Sequence, residues 1–130
     1  MNPLALELLP GRLAVAQLSA AAEFPVHWDQ GSAIFALLRT GEELTVVCAE
    51  ASVPIGVRQE PGWRAFKVSG LLDFTLVGIL AQIASPLAQA GISIFALSTY
   101  NTDYILVKEA FLTQAAQALR QAGLIVQEGA

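Results

Sequence analysis

Ile34-Phe35-Ala36-Leu37 recurs sixty residues later as Ile94-Phe95-Ala96-Leu97. At the same offset Val46-Val47 falls on Leu106-Val107, each pair after a short polar turn. Leu4–Leu9 falls on Arg64–Ser69, and both read as strands. Strand, turn and strand aligned at a single offset mark an internal repeat, which means one supersecondary unit used twice. A chain of 130 residues is then built from two small modules. The segment Ala51–Gly62 holds Pro54, Gly56, Pro61 and Gly62 and reads as the linker. The modules so defined are residues 1–60 and 61–130.

The second copy shows its elements most clearly. Trp63–Ser69 sets Phe66 and Val68 against Arg64 and Lys67, as a half-buried strand does. Gly70–Thr75 is a loop. Leu76, Leu80, Ile83 and Leu87 then recur at helical spacing, with Ile79 and Ala84 widening the stripe. Pro86 lies inside this pattern, where a kink or an irregular turn is expected. Gly91 stands where a C-terminal helix glycine belongs. Ile92–Leu97 and Tyr104–Val107 read as strands, Phe111–Ala122 as a helix stopped by Gly123, and Leu124–Val126 as a last strand. The order is β-α-β-β-α-β. The first copy keeps strands at Arg12–Leu18, Phe35–Leu38 and Leu44–Ala49. Pro25, Asp29 and Gly31 leave Ser19–Ser32 at most one helical turn, and Pro54 and Gly56 exclude a helix over Ala51–Gly62.

Hydrophobic residues make up 55% of the chain and charged ones 14%, enough for a core with apolar surface to spare for an interface. The net charge is −4 and the seven basic residues are scattered. Nucleic acid and acidic membrane surfaces need clustered Lys and Arg, so both are disfavoured as partners. One cysteine, Cys48, excludes an internal disulfide and a cysteine-based zinc site. It sits in the apolar run Leu44–Ala49 and reads as a small buried hydrophobe, with a reactive thiol as the alternative. The opening MNPLALELLPGR lacks the basic and apolar regions of a signal peptide, and no apolar run is long enough to span a bilayer. A cytoplasmic location is the expectation.

Chemistry points to the run Ser98-Thr99-Tyr100-Asn101-Thr102-Asp103-Tyr104, polar residues set between two apolar strands. A helix start presents unpaired backbone N–H groups and the positive end of its dipole, so it can seat a carboxylate without a cationic side chain. Asp73 and Asp103 could meet an ammonium group, and Ser98, Thr99, Asn101 and Thr102 supply donors and acceptors. Tyr100 and Phe74 could wall the pocket. The same residues have plainer readings. Asn101-Thr102-Asp103 suits a hairpin turn, Asp73 suits a helix N-cap, and Gly78 suits either a flexible first turn or a close approach of ligand to backbone.

Catalytic groupings are poor. His27 lies in Phe24-Pro25-Val26-His27-Trp28 without acidic or nucleophilic neighbours in sequence. There is no glycine-rich phosphate loop and no histidine pair at ligand spacing. Glu42, Glu43, Glu109 and Glu128 read as surface positions. Neither a metal site, a cofactor nor an enzymatic activity is expected.

Gly78-Ile79-Leu80-Ala81-Gln82-Ile83, followed by Leu87-Ala88-Gln89-Ala90-Gly91-Ile92-Ser93-Ile94, resembles the core signature of ACT domains. These are βαββαβ regulatory modules that bind amino acids, usually at interfaces between paired domains. The run Ser98–Val107 resembles the ACT subgroup that includes the cytosolic arginine sensors (the CASTOR proteins) and small bacterial two-module ACT proteins. The resemblance covers Trp63–Val126; over residues 1–60 it rests on the repeat, and that half departs from the pattern by lacking helices. The fold it implies is α+β: tandem ferredoxin-like modules, the N-terminal one helix-poor and degenerate, with antiparallel sheets and helices on one face. The function it implies is binding of an amino acid or similar metabolite, without catalysis. Effector contacts in such proteins map onto Leu72, Asp73, Phe74, Val77 and Gly78, and onto Ser98, Thr99, Tyr100, Asn101, Thr102 and Asp103. A homodimer would supply four modules and complete the pocket. An assembly module with a vestigial pocket, docking an unidentified protein, is the alternative.

Overall fold

The computed structural model describes residues 3–70 and 77–128. Among these described residues, eight strands and two α-helices run in the order β1 Ala5–Leu8, β2 Leu13–Leu18, β3 Ala36–Arg39, β4 Leu44–Ala49, β5 Arg58–Val68, α1 Ile79–Gln89, β6 Phe95–Ser98, β7 Asp103–Lys108, α2 Leu112–Gln121 and β8 Ile125–Glu128. They form two units, Met1–Leu9 with Arg64–Ala130, and Pro10–Trp63. The linear boundary between residues 60 and 61 is therefore not the line along which the chain packs. The first strand joins the C-terminal unit because β1 pairs antiparallel with β5, Leu6 opposite Val68, and parallel with β8, Leu6 opposite Val126. Leu4–Leu9 is thus a neighbour of Arg64–Ser69 rather than its copy.

In the C-terminal unit the strands lie in the order β6-β7-β5-β1-β8, with the β6–β7 and β5–β1 pairs antiparallel and the β1–β8 pair parallel. Without β1 this is the βαββαβ arrangement expected from the element order. Both helices pack on one buried cluster. Ile83 and Leu87 of α1 and Ala115, Ala116 and Leu119 of α2 meet Leu6, Phe66, Val68, Ile105 and Val107 of the strands. The stripe of α1 runs through Ile79, Ile83 and Leu87, while Leu80 stays 39% exposed and Leu76 falls outside the described residues. Pro86 does not end α1, because only the Gln82 carbonyl loses its partner and Gln82 faces water. Both helices stop as glycine placement predicts. Ile92 N–H bonds Leu87 O at 2.9 Å and Gly91 N–H bonds Ala88 O at 3.0 Å; Leu124 to Leu119 and Gly123 to Arg120 repeat the pattern, each at 3.0 Å.

The Pro10–Trp63 unit keeps the strand order β3-β4-β2-β5 and does without α-helices. Its sheet is covered instead by an indole. Trp28, in the short 3₁₀ turn Val26–Trp28, packs with Val46, Cys48 and Val53 over Ala14 and Ala16, whose small side chains admit the ring. The indole supplies a large share of the covering area, and Val53, Ala22, Phe35 and Val57 pack on the same cluster. The expected linker is also ordered in part. Arg58–Gly62 belong to β5, and Pro61-Gly62 form a bulge where the β2–β5 register shifts. Gly62 takes φ 82°, and its N–H donates to Glu50 Oε1 at 2.7 Å.

The repeat is real in structure, but its hairpins align at 59 residues. Thr40 N–H bonds Glu43 O at 2.8 Å, and Thr99 N–H bonds Thr102 O at 2.8 Å. Arg39 pairs with Leu44 as Ser98 pairs with Asp103. Beyond the hairpins, Glu50, just after β4, bridges Arg12, just before β2, and Glu109, just after β7, bridges Arg64 of β5, each at 3.4 Å. Identical tetrapeptides sixty apart are thus one residue out of step: Leu37 faces Val46, but Leu97 faces Tyr104.

Candidate functional site

The β6–β7 hairpin builds the polar edge. Its last pair, Ser98 and Asp103, is joined across the strands by the Ser98 hydroxyl, which donates to Asp103 Oδ1 at 2.6 Å. This holds a half-buried carboxylate in one orientation and leaves most of its accepting capacity unused. Thr99 and Thr102 are spent on the turn itself. Thr99 Oγ1 donates to Thr102 O at 3.1 Å and accepts the Thr102 N–H at 3.4 Å. Thr102 is 3% exposed, and its own hydroxyl donates to Val68 O at 2.7 Å. The turn is thereby pinned to the end of β5, where the chain leaves towards α1. Tyr100, at 81% exposure, and Asn101 point outward. The run is a hairpin turn made by its threonines, with the Asp103 carboxylate oriented by Ser98 at the edge.

Gly78 is the N-cap of α1 with φ 82° and no side-chain cap. An α-helix leaves its first N–H groups without intrahelical acceptors, and here no capping side chain belongs to the cap residue. Val77 before it is 90% exposed. Leu72, Asp73 and Phe74 lie outside the described residues. The Val68 carbonyl, which anchors the turn, had no signal in the sequence, since a backbone acceptor carries none.

The remaining candidates go elsewhere. His27 is exposed in the Pro10–Trp63 unit, its ring edge-on to Trp28. Cys48 is fully buried in the same unit, and burial pushes its thiol up, so it stays neutral and packs as a small hydrophobe. Glu43 and Glu109 are not simply solvated. Glu43 accepts from Gln17 at 3.3 Å and Thr45 at 3.2 Å, and Glu109 pairs with Arg64. Among the described residues no three His, Cys, Asp or Glu side chains come together as a metal site, and no helix is long and apolar enough to cross a membrane.

Thr102→Val keeps the shape and removes the hydroxyl. The Val68 carbonyl then loses a buried donor, at an expected cost of about 1–3 kcal/mol. Urea unfolding of the variant measures this; a change under about 0.5 kcal/mol, the size of a neutral surface substitution, would show that the turn is held by other means.

A model of the ACT domain family matches residues 58–121, from the start of β5 to the end of α2. The cytosolic arginine sensor for mTORC1 subunit 1 of Homo sapiens is 45% identical over 65 residues, covering 48% of this chain. The match spans 20% of that protein's length. Among solved structures, an Agobacterium tumefaciens protein is 35% identical over 100% of this chain and 96% of its own, with a TM-score of 0.92. The regulatory subunit of aspartate kinase from Thermus flavus shares the fold, with a TM-score of 0.63 at 10% identity over 93% of this chain and 97% of that one. Sequence signature, strand order and full-length likeness agree, and the chain belongs to the ACT-domain family.

Proposed function

We propose that this protein is a non-catalytic regulatory module that binds an amino acid at the edge between the β6–β7 turn and the loop leading into α1. The observation that carries the reading is the Asp103 carboxylate, held by Ser98 at the turn end of a hairpin whose turn is pinned to the exit of β5. A zwitterion has two complements here. Asp103 meets its ammonium, and the uncapped start of α1 at Gly78 meets its carboxylate. Leu72, Asp73, Phe74 and Val77 complete the loop side; Thr99 and Thr102 shape the turn, and Tyr100 and Asn101 close over it. The likeness to an arginine sensor supports an amino acid as the ligand class.

A second copy completes the pocket. Val77, Leu80 and Tyr100, on the loop, helix and turn assigned to the site, are 90%, 39% and 81% exposed, apolar surface that a second copy would cover. Binding then shifts the interface between copies, or between this protein and a partner, and that shift is the output.

Calorimetric titration of the wild-type protein with each proteinogenic amino acid tests the reading, with sedimentation run alongside to report oligomeric state with and without ligand. Saturable binding of one amino acid or a narrow set is expected. If none binds while a dimer persists, the pocket is vestigial and the assembly role is the better account.

A further inference from the structure

The two hairpins are equivalent, yet the last pair before the turn differs in charge: Arg39 with Leu44 in one, Ser98 with Asp103 in the other. Arg39 stands in the Pro10–Trp63 unit where Ser98 stands in the other, as the last residue before the turn. The position of Asp103 is taken by Leu44, which is fully buried. The nearest carboxylates do other things: Glu43 accepts from Gln17 and Thr45, and Glu42 is exposed in the turn. The segment between β2 and β3 also differs from the α1 region, because its only helical part is the turn Val26–Trp28. A helix start offers N–H groups, but this segment offers carbonyl oxygens. The Arg39 guanidinium donates through Nη1 to Ala20 O and through Nη2 to Ala22 O, and its Cζ lies 4.7 Å from the Phe24 ring centroid. Carbonyl oxygens beside an aromatic face favour a cation and disfavour a carboxylate.

We propose that Arg39 is an internal substitute for a ligand. Its guanidinium fills the helix-poor unit's counterpart of the ligand edge and clamps the Ala20–Phe24 segment onto β3. Each chain therefore carries one amino-acid site instead of two, a statement that rests on the function proposed above. The clamp favours a planar fork, because one pre-organised group meets two carbonyls and a ring, whereas a lysine must order a flexible stem for each contact.

Two measurements on the full chain test it. Arg39→Ala is expected to lower Tm by about 2–5 °C, read by tryptophan fluorescence, and Arg39→Lys is expected to fall nearly as far. Methylguanidinium chloride at about 10 mM should then raise the Tm of Arg39→Ala by about 1–2 °C over the same concentration of sodium chloride, as mass action gives near half-saturation, and leave the wild type unmoved. Equal effects on both proteins, or none on Arg39→Ala, would overturn the clamp. Titration of the wild type should give one amino acid per chain, and two per chain would overturn the single-site count. Absence of any amino-acid binding would remove the function reading instead, while the methylguanidinium experiment would still decide the role of Arg39.

Discussion

Phe66→Ala is expected to cost about 3–5 kcal/mol, the range for deleting a buried aromatic ring. That is much of the roughly 5–15 kcal/mol by which a domain of this size is folded. Phe66 is fully buried on β5 and belongs to the cluster that joins β1, β7, β8 and both helices, so the void opens where the C-terminal unit converges. The composition supplies two separate probes. Both α-helices lie in the C-terminal unit, and both tryptophans, Trp28 and Trp63, lie in Pro10–Trp63. Far-ultraviolet circular dichroism therefore follows the damaged unit, and fluorescence follows the other. β5 serves both, pairing with β2 from Arg58 to Trp63 and with β1 from Phe66 to Val68. Loss of one half of a strand frays the other, so the fluorescence midpoint in urea should drop with the dichroism midpoint. A fluorescence transition that stays at the wild-type position while the helical signal collapses would show that the units fold independently.

How much of this was legible in the sequence depended on how local the cause was. The two helices and their ends could be read because Gly91 and Gly123 sit where the chain must turn left-handed, and because apolar residues recur at helical spacing before them. The helix-poor first unit could be read from Pro25, Gly31, Pro54 and Gly56. Pairing could not. Leu4–Leu9 resembles Arg64–Ser69 for the same reason that it packs beside it: both alternate to suit one sheet, and alternation does not name a partner. Pro61-Gly62 carries the composition of a linker and makes a bulge, because a distant carboxylate, Glu50, receives the N–H that the bulge frees. By letters alone the repeat falls one residue out of register, since the matching Ile-Phe-Ala-Leu outweighs the less conspicuous match of Thr40 with Thr99 and Glu50-Ala51 with Glu109-Ala110. Of the candidate site, residue types were readable and roles were not. Thr102 and Asp103 are adjacent and polar, yet one is buried under the turn and the other stands at its edge.

Asp103→Ala is expected to weaken amino-acid binding by about ten- to a hundredfold, the equivalent of about 1.5–3 kcal/mol for a hydrogen bond to a charged group. The argument rests on what the substitution leaves alone. Asp103 begins β7, and its backbone pairing with Ser98 does not depend on its side chain. The turn keeps its own bonds through Thr99 and Thr102, and the Thr102 anchor to Val68 is untouched. Stability should therefore fall by less than about 1 kcal/mol, the usual net worth of one part-exposed hydrogen bond. Ser98→Ala separates orientation from charge. It keeps the carboxylate and removes the hydroxyl that steers it, so its loss of affinity should be smaller than that of Asp103→Ala. Asp103→Asn keeps the shape and the Ser98 bond and removes the charge, so it should bind as poorly as the alanine variant if an ammonium is the group recognised. Titration of all three against the amino acid that binds the wild type gives the ranking. Wild-type affinity in Asp103→Asn would mean that the carboxylate serves the hairpin alone, and the ammonium contact would have to be sought in the loop before α1.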